Sequence, residues 1–215
     1  MNNKYKGDIC APITNSENGN CRYIWMTPKE EVKDIENRLL IIMMNPSNAD
    51  ENGPDRTISK MLKWNEAERF DKVFASVKVM NISPLVETNS KKALNDLRDL
   101  VNNNDVIEDR LKENFSQLAN AICKVDNIII AWGNIGDQML RMLLNKYQKE
   151  KKVKDFVKNL KTKVCSNNVK YLEINGKTNA FRHPRFAWIG KGEGNDNSLR
   201  DVNKQNFSSL FDDYK

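Results

Sequence analysis

Six apolar residues, Leu39 to Met44, run without a polar break and stop at Asn45-Pro46-Ser47. An apolar run of that length without alternation predicts a strand buried on both faces of a parallel sheet, over 38–45. The segment 127–132, Asn-Ile-Ile-Ile-Ala-Trp, reads the same way. Alternating or shorter patterns predict three more strands. One lies at 21–27, with Tyr23 and Trp25 on one face. Another lies at 71–85, where Val73, Ala75, Val77 and Val79 alternate before Asn81 and Pro84. The last lies at 169–176. Spacings of three and four predict helices at 55–70, with Asp55 as N-cap, and at 90–101 and 105–125. Further helices are predicted from about 136, at 153–164, and in a short closing stretch at roughly 198–211.

Strands that alternate with helices pack most economically as an α/β three-layer sandwich. The expected fold is therefore a central, mostly parallel sheet of about four strands with helices on both faces. Residues 1–20 are expected to form a polar arm and 21–215 a single domain. Ligands bind such sheets beyond the carboxyl ends of the strands. Asn45, Asn81 and Trp132-Gly133 all fall at predicted strand ends, and the loop carrying His183 follows the last strand. Four segments are thus expected to meet on one rim.

Composition narrows the picture only a little. The chain has 215 residues, a net charge of +6 and a pI near 9.0. A moderate excess of Lys and Arg suits a polyanionic partner and equally a solvated basic surface. No stretch matches the ~20 apolar residues of a membrane span, and no apolar leader is seen, so a cytoplasmic location is expected. Cys10, Cys21, Cys123 and Cys165 are scattered, which implies free thiols rather than disulfides. One histidine and dispersed cysteines make no zinc site, so neither a metal nor another cofactor is expected.

The candidate chemistry is amide and imidazole. Asn45 and Asn81 each offer a carbonyl acceptor and an amide donor, a pairing suited to the edge of a nucleobase. Strand-end asparagines also serve as turn residues. His183 stands in Phe181-Arg182-His183-Pro184-Arg185-Phe186, with Trp188 and Lys191 beyond. Aromatics interleaved with cations match what stacking on bases and contacting phosphates requires. Asp50 and Asp55 are carboxylates able to orient water. Ser47 lacks the Gly-x-Ser-x-Gly context of a nucleophile elbow.

The segments "MMNPS", "VMNISPL", "IIIAWGNIG" and "RHPRF" stand in an order similar to that of a prokaryotic family of unknown function, typified by a strand ending in "MLNPS". That pattern in turn resembles the uracil-DNA glycosylase superfamily, over about residues 21–190. The resemblance implies a DNA glycosylase-like hydrolase that excises a damaged, mispaired or hypermodified base flipped out of DNA, in repair or anti-phage defence. It implies Asn45 and His183 as catalytic residues, the first holding water and the second hydrogen-bonding the base carbonyl, with Asp50 assisting. It implies Asn81 reading the base; no aromatic follows Pro46 directly to stack on it, so Trp132, Phe181 or Trp64 would serve instead, and Ser47 is a further candidate beside the base. Arg182, Arg185, Phe186 and Lys191 would lie against the DNA. Met43 and Met44 replace the usual glycine, and "HPR" replaces "HPS", so uracil itself fits poorly. Two other readings stay open: a nucleic-acid-binding module of the same fold without catalysis, and an N-glycosidase of free nucleosides or nucleotides.

Overall fold

The computed structural model describes residues 21, 24–26, 37–47, 49, 53–67, 70, 72–103, 105–172 and 199–202. In chain order the elements are β1 (Ile24–Met26), β2 (Arg38–Met43), α1 (Arg56–Glu66), β3 (Ser76–Asn81), α2 (Ser90–Asn103) and α3 (Asp105–Cys123). They are followed by β4 (Asn127–Ile130), α4 (Gly133–Tyr147), α5 (Lys151–Cys165), β5 (Val169–Leu172) and β6 (Leu199–Asp201).

The strands form one sheet in the order β1-β3-β2-β4-β5-β6. The four inner strands are parallel and the two edge strands antiparallel. The three-layer α/β architecture read from the sequence is therefore the one observed. β2 lies at its heart, paired along its length with β3 (Met43 opposite Asn81) and with β4 (Ile42 opposite Ile130). Residues Leu39 to Ile42 are no more than 1% exposed. Burying each such side chain contributes roughly 2 kcal/mol.

Successive β2 residues point to opposite faces. Leu40 and Ile42 pack with helices α2 to α5, including Phe115 and Phe156, whose rings meet edge to face at 5.3 Å. Leu39, Ile41 and Met43 pack with Ile58, Met61 and Trp64 of α1. Asp55 caps α1 as expected, its carboxylate accepting from Ile58 N at 2.8 Å.

Three boundaries differ from expectation. β3 begins at Ser76, and Val73 is 48% exposed. Asn65, buried on α1, donates to Phe74 O at 2.9 Å and accepts from Phe74 N at 2.8 Å. That two-point clamp diverts the backbone of residue 74 from the ladder. α4 begins at Gly133 rather than near 136, because Trp132 has already turned into helical angles. Leu199–Asp201, inside the stretch expected to be helical, is a strand on the free edge of β5, and Val202 N extends the pairing to Val169 O at 2.9 Å. Ladder bonds to an open edge outweigh weak local helix preference in a short segment. The rest of the expected closing helix, and residues 173–176 of the expected last strand, lie outside the described residues.

The carboxyl end of β3 is braced from the helical layer. Asn114 of α3, wholly buried, donates through Nδ2 to Asn81 O at 2.9 Å and Ile82 O at 3.0 Å. Buried carbonyls left without partners destabilise by about 1–3 kcal/mol each. Asn114→Ala should therefore lower unfolding stability by about 2–3 kcal/mol in a urea titration, partly offset because it also removes the unpartnered Oδ1 of Asn114.

Candidate functional site

In an open α/β sheet the ligand crevice opens where neighbouring strands send their following helices to opposite faces. β2 leads to α1 on one face, whereas β3 and β4, on either side of it, lead to α2 and α4 on the other. The mouth of β2 is therefore the switch point, flanked on both sides. Asn45 stands there, with Asn81 ending β3 and Trp132 just past β4. Ala131 N still bonds Ile42 O at 2.8 Å. The chains thus leave β2 and β4 one strand spacing apart, about 4.8 Å.

Asn45 is 7% exposed. Its Nδ2 donates to Pro46 O at 3.0 Å and to Glu87 O at 2.5 Å. Pro46 O also accepts from Glu87 N at 3.0 Å. The asparagine therefore ties the loop after β2 to the loop after β3, and its carbonyl oxygen is the group left for a ligand. Asn81 is 2% exposed, and its Oδ1 is buried without a hydrogen-bond partner. An acceptor so placed is expensive unless something donates to it.

Other residues named from the sequence have different surroundings. The Ser47 hydroxyl donates to the Asp55 carboxylate, so both belong to the start of α1. Trp132, expected beside a base, is 0% exposed and packs in the core beneath α2 to α5. A base cannot stack on a ring covered on both sides. Glu87 is held near pKa 2, chiefly by the Asn89 backbone N–H and then by Lys92, and stays ionised. Asp50, Phe181, Arg182, His183, Arg185, Phe186 and Lys191 lie outside the described residues.

One residue at this rim escaped the sequence reading. Asp137, in the second turn of α4, accepts the Trp132 indole N–H through Oδ1 at 2.5 Å. Its Oδ2 takes no hydrogen bond from a described residue. Two glycines permit the arrangement. Gly133 has φ of 69°, the left-handed region. A Cβ on Gly136 would sit 2.5 Å from Trp132 Cβ. Burial pushes the Asp137 carboxyl up to about 6, against smaller opposing effects of the Trp132 hydrogen bond and the Arg141 charge. The pattern Gly-x-x-Gly-Asp behind a buried strand was the available signal, but two glycines at a helix start read first as a turn.

A cavity of about 140 Å³ opens at the opposite edge of the sheet, among Phe70, Phe74, Asn127, Asn168 and Lys170. Those residues lie at the amino ends of β3, β4 and β5, away from the crevice that strand direction sets.

A family model described as a protein of unknown function (DUF1643) matches residues 22–185. The chain belongs to this family. The matched segment spans β1 to β5 and contains Asn45, Asn81, Asp137 and His183, whereas β6 falls beyond it. No curated protein and no solved structure matches the chain. Among the described residues no group of His, Cys, Asp and Glu is arranged to hold a metal, and no helix is long and apolar enough to cross a membrane.

The raised Asp137 pKa makes folding pH-dependent. The folded state retains a proton that the unfolded chain, with the ordinary value of 3.8, has already released. Stability contributed by this group is therefore fully present below about pH 4 and is lost as pH rises from there through about 6. Asp137→Asn should be more stable than wild type by about 2 kcal/mol at pH 7.5, with the gain vanishing near pH 4, in urea titrations across that range.

Proposed function

We propose that the rim around Asn45 and Asn81 recognises a nucleobase and that the protein is an N-glycosidic bond hydrolase acting on a base flipped out of DNA. The observation that carries the reading is the unpartnered, buried Oδ1 of Asn81 at the switch point of the sheet. An N–H on the edge of a base is the kind of donor that would satisfy it. The order of "MMNPS", "VMNISPL" and "RHPRF", similar to that of the uracil-DNA glycosylase superfamily, supports the same reading. So does charge. Lys151, Lys152, Lys154, Lys158 and Lys161 are all exposed along α5, on a chain of net charge +6, and ammonium groups contribute affinity for phosphates whatever the base sequence.

In this reading a flipped base meets Asn81, and the Asn45 carbonyl oxygen orients a water toward the sugar. His183 donates to the oxygen that gains charge as the base departs, an interaction worth about 3–4 kcal/mol when preorganised. The substrate is a damaged, mispaired or hypermodified base, and the setting is repair or defence against phage.

A second reading, a binding module without catalysis, draws on one observation. The Asn45 amide nitrogen and the Ser47 hydroxyl both have structural partners within the protein. Base release separates the two. Wild-type protein is incubated with DNAs carrying uracil, mismatched thymine, alkylated, oxidised or hypermodified bases, and alkali-labile sites are counted. Release from one substrate, reduced about 10²- to 10³-fold in Asn81→Ala and His183→Ala, is the expected result. Binding without release from any substrate would establish the module, and neither binding nor release would reject both.

A further inference from the structure

Hydrolysis at the anomeric carbon needs a group that can take a proton, and the two rim asparagines cannot. The described carboxylates nearest the switch point have other duties. Asp55 caps α1 and accepts from Ser47, and Glu87 is paired with Lys92 and the Asn89 N–H. Asp137 differs. It stands in the second turn of α4, the helix that leaves β4, and β4 is a direct neighbour of β2 in the sheet. One of its oxygens is fixed by Trp132, and the other takes no hydrogen bond from a described residue.

We propose that Asp137 is the general base of this rim, accepting the proton of the water that attacks the sugar. The inference rests on the hydrolase reading above and deepens it. The water oxygen bonds to C1′ while the C1′–N bond breaks, and the bonding pair leaves with the base. The proton released from water passes to Asp137 Oδ2, and solvent supplies the proton that the departing base takes up.

Three features of the chain point to this role rather than to simple pairing of a buried indole. A neutral amide or a backbone carbonyl would satisfy the Trp132 N–H without placing an acid in a poorly hydrated site. Gly133 and Gly136 both weaken the start of α4, yet both are needed for Trp132 to lie against the helix and reach Asp137. The charge acting on the group from the described residues is that of Arg141, one turn along the same helix, and burial outweighs it. The carboxyl consequently titrates near pH 6, where a base is both available and strong enough to act.

The test is the pH profile of base release by the full-length protein on whichever DNA it cleaves. Wild type should lose rate below about pH 6. Asp137→Asn should lose about 10²- to 10⁴-fold in rate and the acid limb with it, while DNA binding persists. Trp132→Phe removes a hydrogen bond that lowers the Asp137 pKa, so its limb should move to higher pH. An active wild type, with Asp137→Asn releasing base at the same rate and Trp132→Phe titrating like wild type, would overturn the inference and leave the hydrolase reading intact. A wild type inactive on every DNA would instead overturn the hydrolase reading and this inference together.

Discussion

A strand buried on both faces has no water for its peptide groups, so β2 is paired along both edges, by β3 on one side and β4 on the other. Much of the molecule's order descends from that constraint. Pairing on two sides sets the register of three strands at once, and a slip of one residue would turn Leu40 and Ile42 away from one helical layer and toward the other. The same pairing carries the chain out of the sheet at one level on all three strands. Residues that follow Met43, Asn81 and Ile130 are neighbours in space although far apart in sequence.

The rim shows how a polar site is supported at the edge of an apolar layer. Asn45 bonds two backbone carbonyls, and Asn114 bonds two more from inside α3. These amides replace water where the ladder ends. Asn81 Oδ1 and Asp137 remain less well satisfied, the first without a partner and the second with its ionised form disfavoured by burial. Buried polar groups left in this state subtract from stability and are concentrated where function is expected. Asn81 ends β3 beside the switch point, and it is strand direction that gives the physical reason to place the chemistry here rather than at the cavity on the opposite edge.

Particular residues show how far the sequence could be read. The unbroken run from Leu39 to Met44 announced its strand because only a doubly buried strand tolerates it, and Asp55 announced its cap because its carboxylate needs only local backbone. Val73 misled, since its place in an alternating pattern could not reveal that Asn65 would clamp Phe74 and delay the strand. Trp132 misled in another way. An indole beside a glycine at a strand end looks available to a ligand, and its burial depends on its own helix α4 and on three others drawn from elsewhere in the chain. Asp137 was passed over because its two preceding glycines read first as a turn, and its burial is made by the packing of α4, which local spacing does not encode.

The sequence by itself determined the alternation of strands and helices, the central buried strand and the placing of two asparagines at strand ends. Periodicity and capping are local, and each is written in a few consecutive residues. Only the tertiary structure decided that β2 lies between β3 and β4, that its helix crosses to the other face, and that Asp137 holds the indole of a wholly buried Trp132. Strand order, burial and pKa depend on contacts between segments remote in the chain. They exist only when the sheet has closed around β2.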